Sequence, residues 1–255
     1  MKTALITGAS SGIGKEFTTI FSEKGYNLII ASRNIKALNV IADECESKFQ
    51  NKVDVIEIDL SKVGAAQGLY NQINVKGIQV DVLINNAGFG KHGLVVESDP
   101  SIYSNMIDLN INTLTQLSTL YVTEMKQRNS GRILNVASTA GYQPMPKLAV
   151  YSATKAYVLN FTEALHYELR DTAVSITALC PGATSTGFAK VANMDGNKHF
   201  KRNAMSPKRV AEAGYKGLMK NKMTVIPGFK NCILAFLSNA MPSRKLPLFV
   251  SNRLT

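Results

Sequence analysis

The stretch TALITGASSGIGKEFTTIFSEKGYNLIIAS, residues 3–32, decides the fold. TALIT (3–7) is an apolar run of strand length, and glycines follow at 8, 12 and 14. Phe17, Ile20 and Phe21 then recur at helical spacing, which marks a helix with one buried face. It stops at Lys24-Gly25, where glycine suits the left-handed position just past a helix end. NLIIAS (27–32) reads as a second buried strand. A strand, a tight turn, a helix and another strand make a parallel crossover unit.

The same alternation continues outward. Residues 34–49 read as an amphipathic helix with Ile35, Leu38, Ile41, Ala42 and Cys45 inward, and VDVIEI (53–58) as a strand. A helix at 62–76, a strand at 80–85, a long helical stretch at 100–127 and a strand at 132–137 come next. A helix at 150–170 and a strand at 174–180 complete the regular part. Six strands alternating with helices predict an α/β fold, a Rossmann-type doubly wound parallel sheet with helices on both faces. No linker or repeat interrupts it, so 1–255 reads as one domain. Beyond Pro181 the pattern loosens. Residues 183–205 read as a mobile loop with small helical pieces, followed by a helix at 207–220, a short strand at 223–226 and an apolar helix at about 229–240. Residues 183–255 would then form the substrate loop and C-terminal segment.

Glycines between a first strand and a first helix let the backbone approach a pyrophosphate, which the helix N-terminus can hold. Gly8, Ser10, Ser11, Gly12, Ile13 and Gly14 are therefore candidate dinucleotide contacts, although the spacing is G-x-x-x-G-x-G rather than G-x-G-x-x-G. The second strand ends in Ser32-Arg33, where an NAD site commonly carries an acidic residue for the ribose. A guanidinium there would grip a 2′-phosphate, which favours NADP(H) over NAD(H). Asp59, after the third strand, falls at the adenine end of such a crevice, or else caps the next turn.

Bulk properties narrow the function. A chain of 255 residues, 45% of them hydrophobic, can bury a large core. Three scattered cysteines (Cys45, Cys180, Cys232) fit reduced thiols in a cytoplasmic protein, and the three histidines lack metal-ligand spacing. No apolar window is long enough to suggest a signal peptide or a membrane span. Of the net charge of +11, residues 191–255 carry +10, from twelve Lys/Arg against two Asp/Glu. That excess fits a solvated basic surface, attraction of an anionic substrate or acyl carrier, or peripheral contact with an acidic membrane. Nucleic acid is a poor fit, since basic and aromatic residues do not interleave.

Several further pieces stand in order: Asp59-Leu60, NNAG (85–88), Asn110 in DLNIN, Ser138 in NVAS, Tyr151 and Lys155 in YSATK, and Pro181-Gly182 in PGATSTGF. With TGASSGIG they make the chain resemble the single-domain short-chain dehydrogenase/reductase family over nearly its whole length. A lysine one turn beyond a tyrosine lies on the same helix face, and its charge would draw the phenol toward working pH. Tyr151 is then the expected general acid/base, Lys155 its tuner and the holder of the nicotinamide ribose, and Ser138 the hydrogen-bond partner of the substrate oxygen. The resemblance also implies that Asn110 holds a relay water. It places Leu60, Asn86, Ala87 and Gly88 along the cofactor, and Pro181, Gly182, Thr184 and Thr186 near the nicotinamide.

The expected activity is interconversion of a ketone or aldehyde and an alcohol. The substrate is open between a 3-oxoacyl thioester, a steroid-like or xenobiotic carbonyl, and a sugar or polyol, with the apolar tail leaning toward a hydrophobic one. A non-catalytic NADP(H)-binding sensor or scaffold is the alternative. His166 reads as a bundle-surface or partner-facing residue and Cys180 as a small core residue. By resemblance the chain forms a homodimer or homotetramer through the 100–127 and 150–170 helices. The apolar tail around Ser243-Arg244-Lys245 suggests a lid, a subunit contact, an acyl-carrier dock or a membrane contact.

Overall fold

Alternate residues of the first strand feed two different cores. In the computed structural model, which describes residues 1–194, 196, 202, 204–240 and 248, β1 (Thr3–Thr7) is buried at every position. Ala4 and Ile6 join one apolar cluster with Phe17, Phe21, Leu38 and Val210, whereas Leu5 joins another with Ile29, Leu69, Leu83, Leu117 and Tyr121. A strand of period two with both faces apolar needs helices on both sides, and the chain supplies them.

Seven parallel strands run in the order β3-β2-β1-β4-β5-β6-β7. After β1 they are β2 (Asn27–Ser32), β3 (Val53–Glu57), β4 (Val82–Asn85), β5 (Gly131–Val136), β6 (Val174–Leu179) and the short β7 (Thr224–Val225). The first core lies under α1 (Gly12–Glu23), α2 (Ile35–Phe49) and α8 (Pro207–Met219). The second lies under α3 (Ala65–Val75) and α5 (Leu114–Gln127). Also present are α4 (Pro100–Ile107), α6 (Ala149–Glu168), α7 (Phe188–Val191) and α9 (Phe229–Ala240). The fold class expected from the sequence is the one observed.

Two local departures have physical causes. The 100–127 helix is not continuous: residues Asp108–Thr113 form a π-type turn between α4 and α5. An inserted residue of this kind rotates side chains out of helical phase and is common at functional sites. β4 starts two residues later than the sequence suggests. Asp81 is tied instead to the start of β1, its carboxylate accepting from Thr3 N (2.8 Å) and its N–H donating to Thr3 O (2.9 Å). Gly25 closes α1 with φ +76°, as its position predicts. Of the loop expected over 183–205, residues 195, 197–201 and 203 lie outside the described residues. The remainder contains α7 and a bridge between Thr184 and Met205. The Ser243-Arg244-Lys245 reading also lies outside them.

The strand order reverses between β1 and β4, with β2 on one side and β5 on the other. Connections leave in opposite directions there and open a crevice at the carboxyl ends of the strands.

Candidate active site

A cleft of about 1310 Å³ occupies that crevice. Its floor is the glycine turn. Gly8 has φ +65°, and a Cβ there would lie 2.9 Å from Ala87 Cα. A Cβ on Gly14 would lie 2.3 Å from Gly8 O, so the turn and the first helical residues pack backbone against backbone. Thr7 and Asn86 lock this turn to the NNAG segment. Asn86 N and Ala87 N both donate to Thr7 Oγ1 at 3.0 Å, and Asn86 Nδ2 donates to Thr7 O (2.9 Å) and Gly8 O (3.1 Å). Ser11, extended at the N-cap of α1, makes no capping bond, which leaves the first-turn N–H groups available to an anion.

Gly8, Ser10, Ser11, Gly12 and Ile13 line the cleft, whereas Gly14 shapes it from behind. At one end lie Ser32, Arg33, Asp59 and Leu60. Asp59 does what its capping alternative predicts, accepting from Ser61 N (3.0 Å) and Ser61 Oγ (2.7 Å), while still facing the cleft. Partial burial works to raise its pKa. The Ser61 bonds and the nearby Arg33 charge outweigh that and hold the carboxyl below the usual carboxylate range.

At the other end Ser138, Tyr151 and Lys155 converge, with Gly88 beside Lys155; Asn86, Ala87 and Thr186 lie against the glycine turn, and Pro181, Gly182 and Thr184 also line the cleft. Tyr151 and Lys155 come from α6, and Ser138 from the end of β5. The Ser138 hydroxyl accepts from Ala140 N (3.1 Å) and donates to Pro181 O (3.3 Å), which fixes it above the strand ends. Lys155 Nζ donates to Val136 O (2.7 Å) and sits 5.9 Å from the centroid of the Tyr151 ring.

The protonation pattern differs from the expectation that Lys155 draws Tyr151 down. Burial pushes the Tyr151 phenol up to about 12, opposed by a hydrogen bond with Ser138. Burial lowers the Lys155 ammonium to about 8. The lysine is bonded to a backbone carbonyl instead of the phenol oxygen, so desolvation dominates both groups.

Asn110 does not line the cleft. It is fully buried in the π-type turn, where its Oδ1 accepts from Phe89 N (3.2 Å) and its Nδ2 donates to Phe89 O (2.9 Å) and Thr154 Oγ1 (3.1 Å). It therefore braces the segment after NNAG against α6. A Cβ on Gly88 would lie 3.0 Å from Asn110 Oδ1 and 3.5 Å from Lys155 Nζ, so glycine lets the turn pass close to both.

Sequence reading missed the apolar wall beside Tyr151. Met145, Leu148, Phe188, Met194 and Leu234 line it, and the Phe188 ring lies 5.3 Å from that of Tyr151. Met145, Leu148 and Met194 stand in irregular segments, Phe188 opens the four-residue α7 and Leu234 sits on α9, so no single periodic pattern joins them and only the fold brings them together. Thr7 and Thr154, which hold Asn86 and Asn110, were equally invisible. His166 is half-buried, its Nδ1 2.7 Å from Ile176 O, and Cys180 is buried in the core.

The profile of the short chain dehydrogenase family matches residues 2–197. The chain belongs to the short-chain dehydrogenase/reductase family. Among curated members it is 30% identical over 254 residues to 17-beta-hydroxysteroid dehydrogenase type 3 of Rattus norvegicus, covering 94% of this chain and 76% of that protein. It is 30% identical over 194 residues to the very-long-chain 3-oxoacyl-CoA reductase of Homo sapiens, covering 74% of this chain and 61% of that longer protein. Among solved structures, a short-chain dehydrogenase from Sphingobium yanoikuyae in complex with NADPH superposes with a TM-score of 0.84. That pair is 25% identical, covering 95% of this chain and 98% of the other. This short-chain dehydrogenase/reductase is accordingly an oxidoreductase on a fold that binds NAD(P).

Proposed function

We propose that the protein interconverts a hydrophobic ketone and its alcohol with NADP(H). The observation that carries this reading is one cleft joining a glycine cradle and Arg33 at one end to Ser138, Tyr151 and Lys155 beside an apolar wall at the other. The cradle fits a dinucleotide, since side chains at Gly8 and Gly14 would collide with backbone and the first-turn N–H groups of α1 point at the gap. A bound nicotinamide would supply or accept the hydride.

The chain's own residues do the rest. Arg33 holds a 2′-phosphate by charge-assisted hydrogen bonds. In the direction of reduction Ser138 would turn its hydroxyl hydrogen from Pro181 O to the carbonyl oxygen, and the neutral Tyr151 phenol would give that oxygen a proton. The Lys155 ammonium would stabilise the phenolate left behind by its charge, and a proton from solvent would restore the phenol. The apolar wall of Met145, Leu148, Phe188, Met194 and Leu234 selects a hydrophobic substituent and keeps water from the reacting carbon. The names of the steroid and acyl relatives support a bulky or long-chain carbonyl, and such a wall suits either.

The test is NADPH and NADH consumption with steroid-like ketones and 3-oxoacyl thioesters, in the parent, Tyr151→Phe and Arg33→Ala. Turnover should prefer NADPH, and Arg33→Ala should erase that preference. Tyr151→Phe should lower kcat by about 10²–10⁴-fold while NADPH binding, read by fluorescence, persists. A Tyr151→Phe protein that turns over like the parent would overturn the assignment of the acid. Tight NADPH binding with no turnover on any carbonyl would point to a sensor on the same fold.

A further inference from the structure

Two arginines flank the glycine cradle. Helices α1, α2 and α8 each lead to the amino end of a strand in an all-parallel sheet, so all three begin at the cleft pole. α1 lies between the other two. It meets α2 through Lys15 and Glu44 (3.8 Å) and α8 through the rings of Phe21 and Tyr215, whose centroids are 5.3 Å apart. Gly214 lets α8 settle closely, since a Cβ there would lie 2.8 Å from Phe17 Cζ on α1, 2.9 Å from Leu179 Cδ2 on β6 and 3.4 Å from Leu134 Cδ1 on β5. Arg33 directly precedes the N-cap of α2, and Arg209 lies in the first turn of α8. Both line the cleft, on opposite sides of the α1 N-terminus. Arg209 is on the side of β5, the strand that ends at Ser138.

Arg209 carries the wrong charge for its own helix. The positive end of a helix dipole favours acidic residues in the first turn, and α8 has none there but has Lys208 and Arg209. Ser206 caps the helix, accepting from Arg209 N (3.4 Å), and the guanidinium is left over. It is exposed and makes no ion pair among the described residues, although Glu212 stands one turn further on. A free guanidinium beside the uncapped N-terminus of α1 complements a group with more than one negative charge. The proposed dinucleotide has such a group in its two bridging phosphates. With the adenosine 2′-phosphate at Arg33 and the nicotinamide toward Ser138, the bridge crosses the start of α1, and its nicotinamide-side phosphate falls toward Arg209. We infer that Arg209 binds this phosphate. The contact rests on the NADP(H) reading and serves the diphosphate, whereas Arg33 serves the 2′-phosphate.

The experiment is fluorescence titration of the full chain with NADPH and with NADH, and displacement of NADPH by 2′,5′-ADP. That probe keeps the 2′-phosphate and one 5′-phosphate but lacks the nicotinamide-side phosphate. The proteins are the parent, Arg209→Ala, Arg209→Gln and Lys220→Ala, the last at the far end of α8. Both Arg209 variants should weaken NADPH and NADH alike, by about tenfold or more, and leave the preference between them intact. Their affinity for 2′,5′-ADP should match the parent's, and Lys220→Ala should change nothing. Without cofactor, Arg209→Ala should melt no lower than the parent, since its charge opposes the helix dipole. Parent-like affinity for both dinucleotides in the Arg209 variants would overturn the assignment while leaving the NADP(H) reading intact. An equal loss for 2′,5′-ADP, or the same loss in Lys220→Ala, would overturn it too, because the charge would then act at the 2′-phosphate or only as a distant field. So would a lower melt without cofactor, which would make the residue structural. A parent that binds neither dinucleotide would sink the NADP(H) reading, and this contact with it.

Discussion

Tyr151 and Lys155 face each other with opposite displacements from their ordinary pKa values, and burial causes both. Up to about pH 12 the phenol stays protonated, so as a proton donor it is not what limits reduction near neutrality. The lysine is. Its ammonium persists below about pH 8 and is lost above it. For reduction, kcat/KM measured with the free enzyme should be flat below about pH 8 and fall above it. A limb near pH 10 instead would mean that the lysine is better solvated than its burial implies. Tyr151, Lys155 and Ser138 could be picked out of the sequence because they stand in order with TGASSGIG, NNAG and PGATSTGF in a pattern that resembles the family, whereas the Tyr-x-x-x-Lys spacing alone says little. The protonation of Tyr151 and Lys155 could not, because it depends on burial, which only the assembled fold brings about.

At the scale of elements, the short 3-10 turn Thr139–Tyr142 sets how Ser138 meets Tyr151. A Cβ on Gly141 would stand 2.7 Å from the backbone oxygen of Lys155, so this turn rests directly on α6. Gly141→Ala should push the two apart, lower stability by about 1–3 kcal/mol and reduce kcat more than NADPH affinity. Thermal melts and steady-state kinetics would check it, and parent-like values would show that the turn yields freely. The strands and most helices were legible because each buries a face and so repeats with period two or near 3.6. The π-type turn at Asp108–Thr113 was not. Asn110 leaves helical phase to reach Phe89, a partner 21 residues away. The apolar tail reads as a lid or a partner or membrane contact, but which side chains of α9 stand exposed was not legible, since periodicity reveals a stripe but not its direction.

For the whole molecule, the buried lysine has a cost in stability. An unfolded lysine holds its proton up to about pH 10.5, whereas folded Lys155 gives it up near 8. Between these values the unfolded chain binds more protons, so this group's contribution makes the fold more stable as pH rises. Below pH 8 the full penalty applies, about 3 kcal/mol for a displacement of this size. Lys155→Met should therefore melt higher than the parent at pH 7, and the gap should shrink toward pH 10. A gap that does not change with pH would trace the gain to packing instead. Such a cost is ordinary for a site kept for chemistry.

β1 lies inside the sheet, third of its seven strands and flanked by β2 and β4, and its amino end faces away from the cleft. A tether attached ahead of Met1 would pull on the central strand from the pole opposite the cleft. Load along that strand shears both of its parallel ladders at once, five residue pairs with β2 and three with β4, instead of peeling one edge strand away. Pulling at the amino end of β1 thus loads two ladders together, from the side away from the cleft.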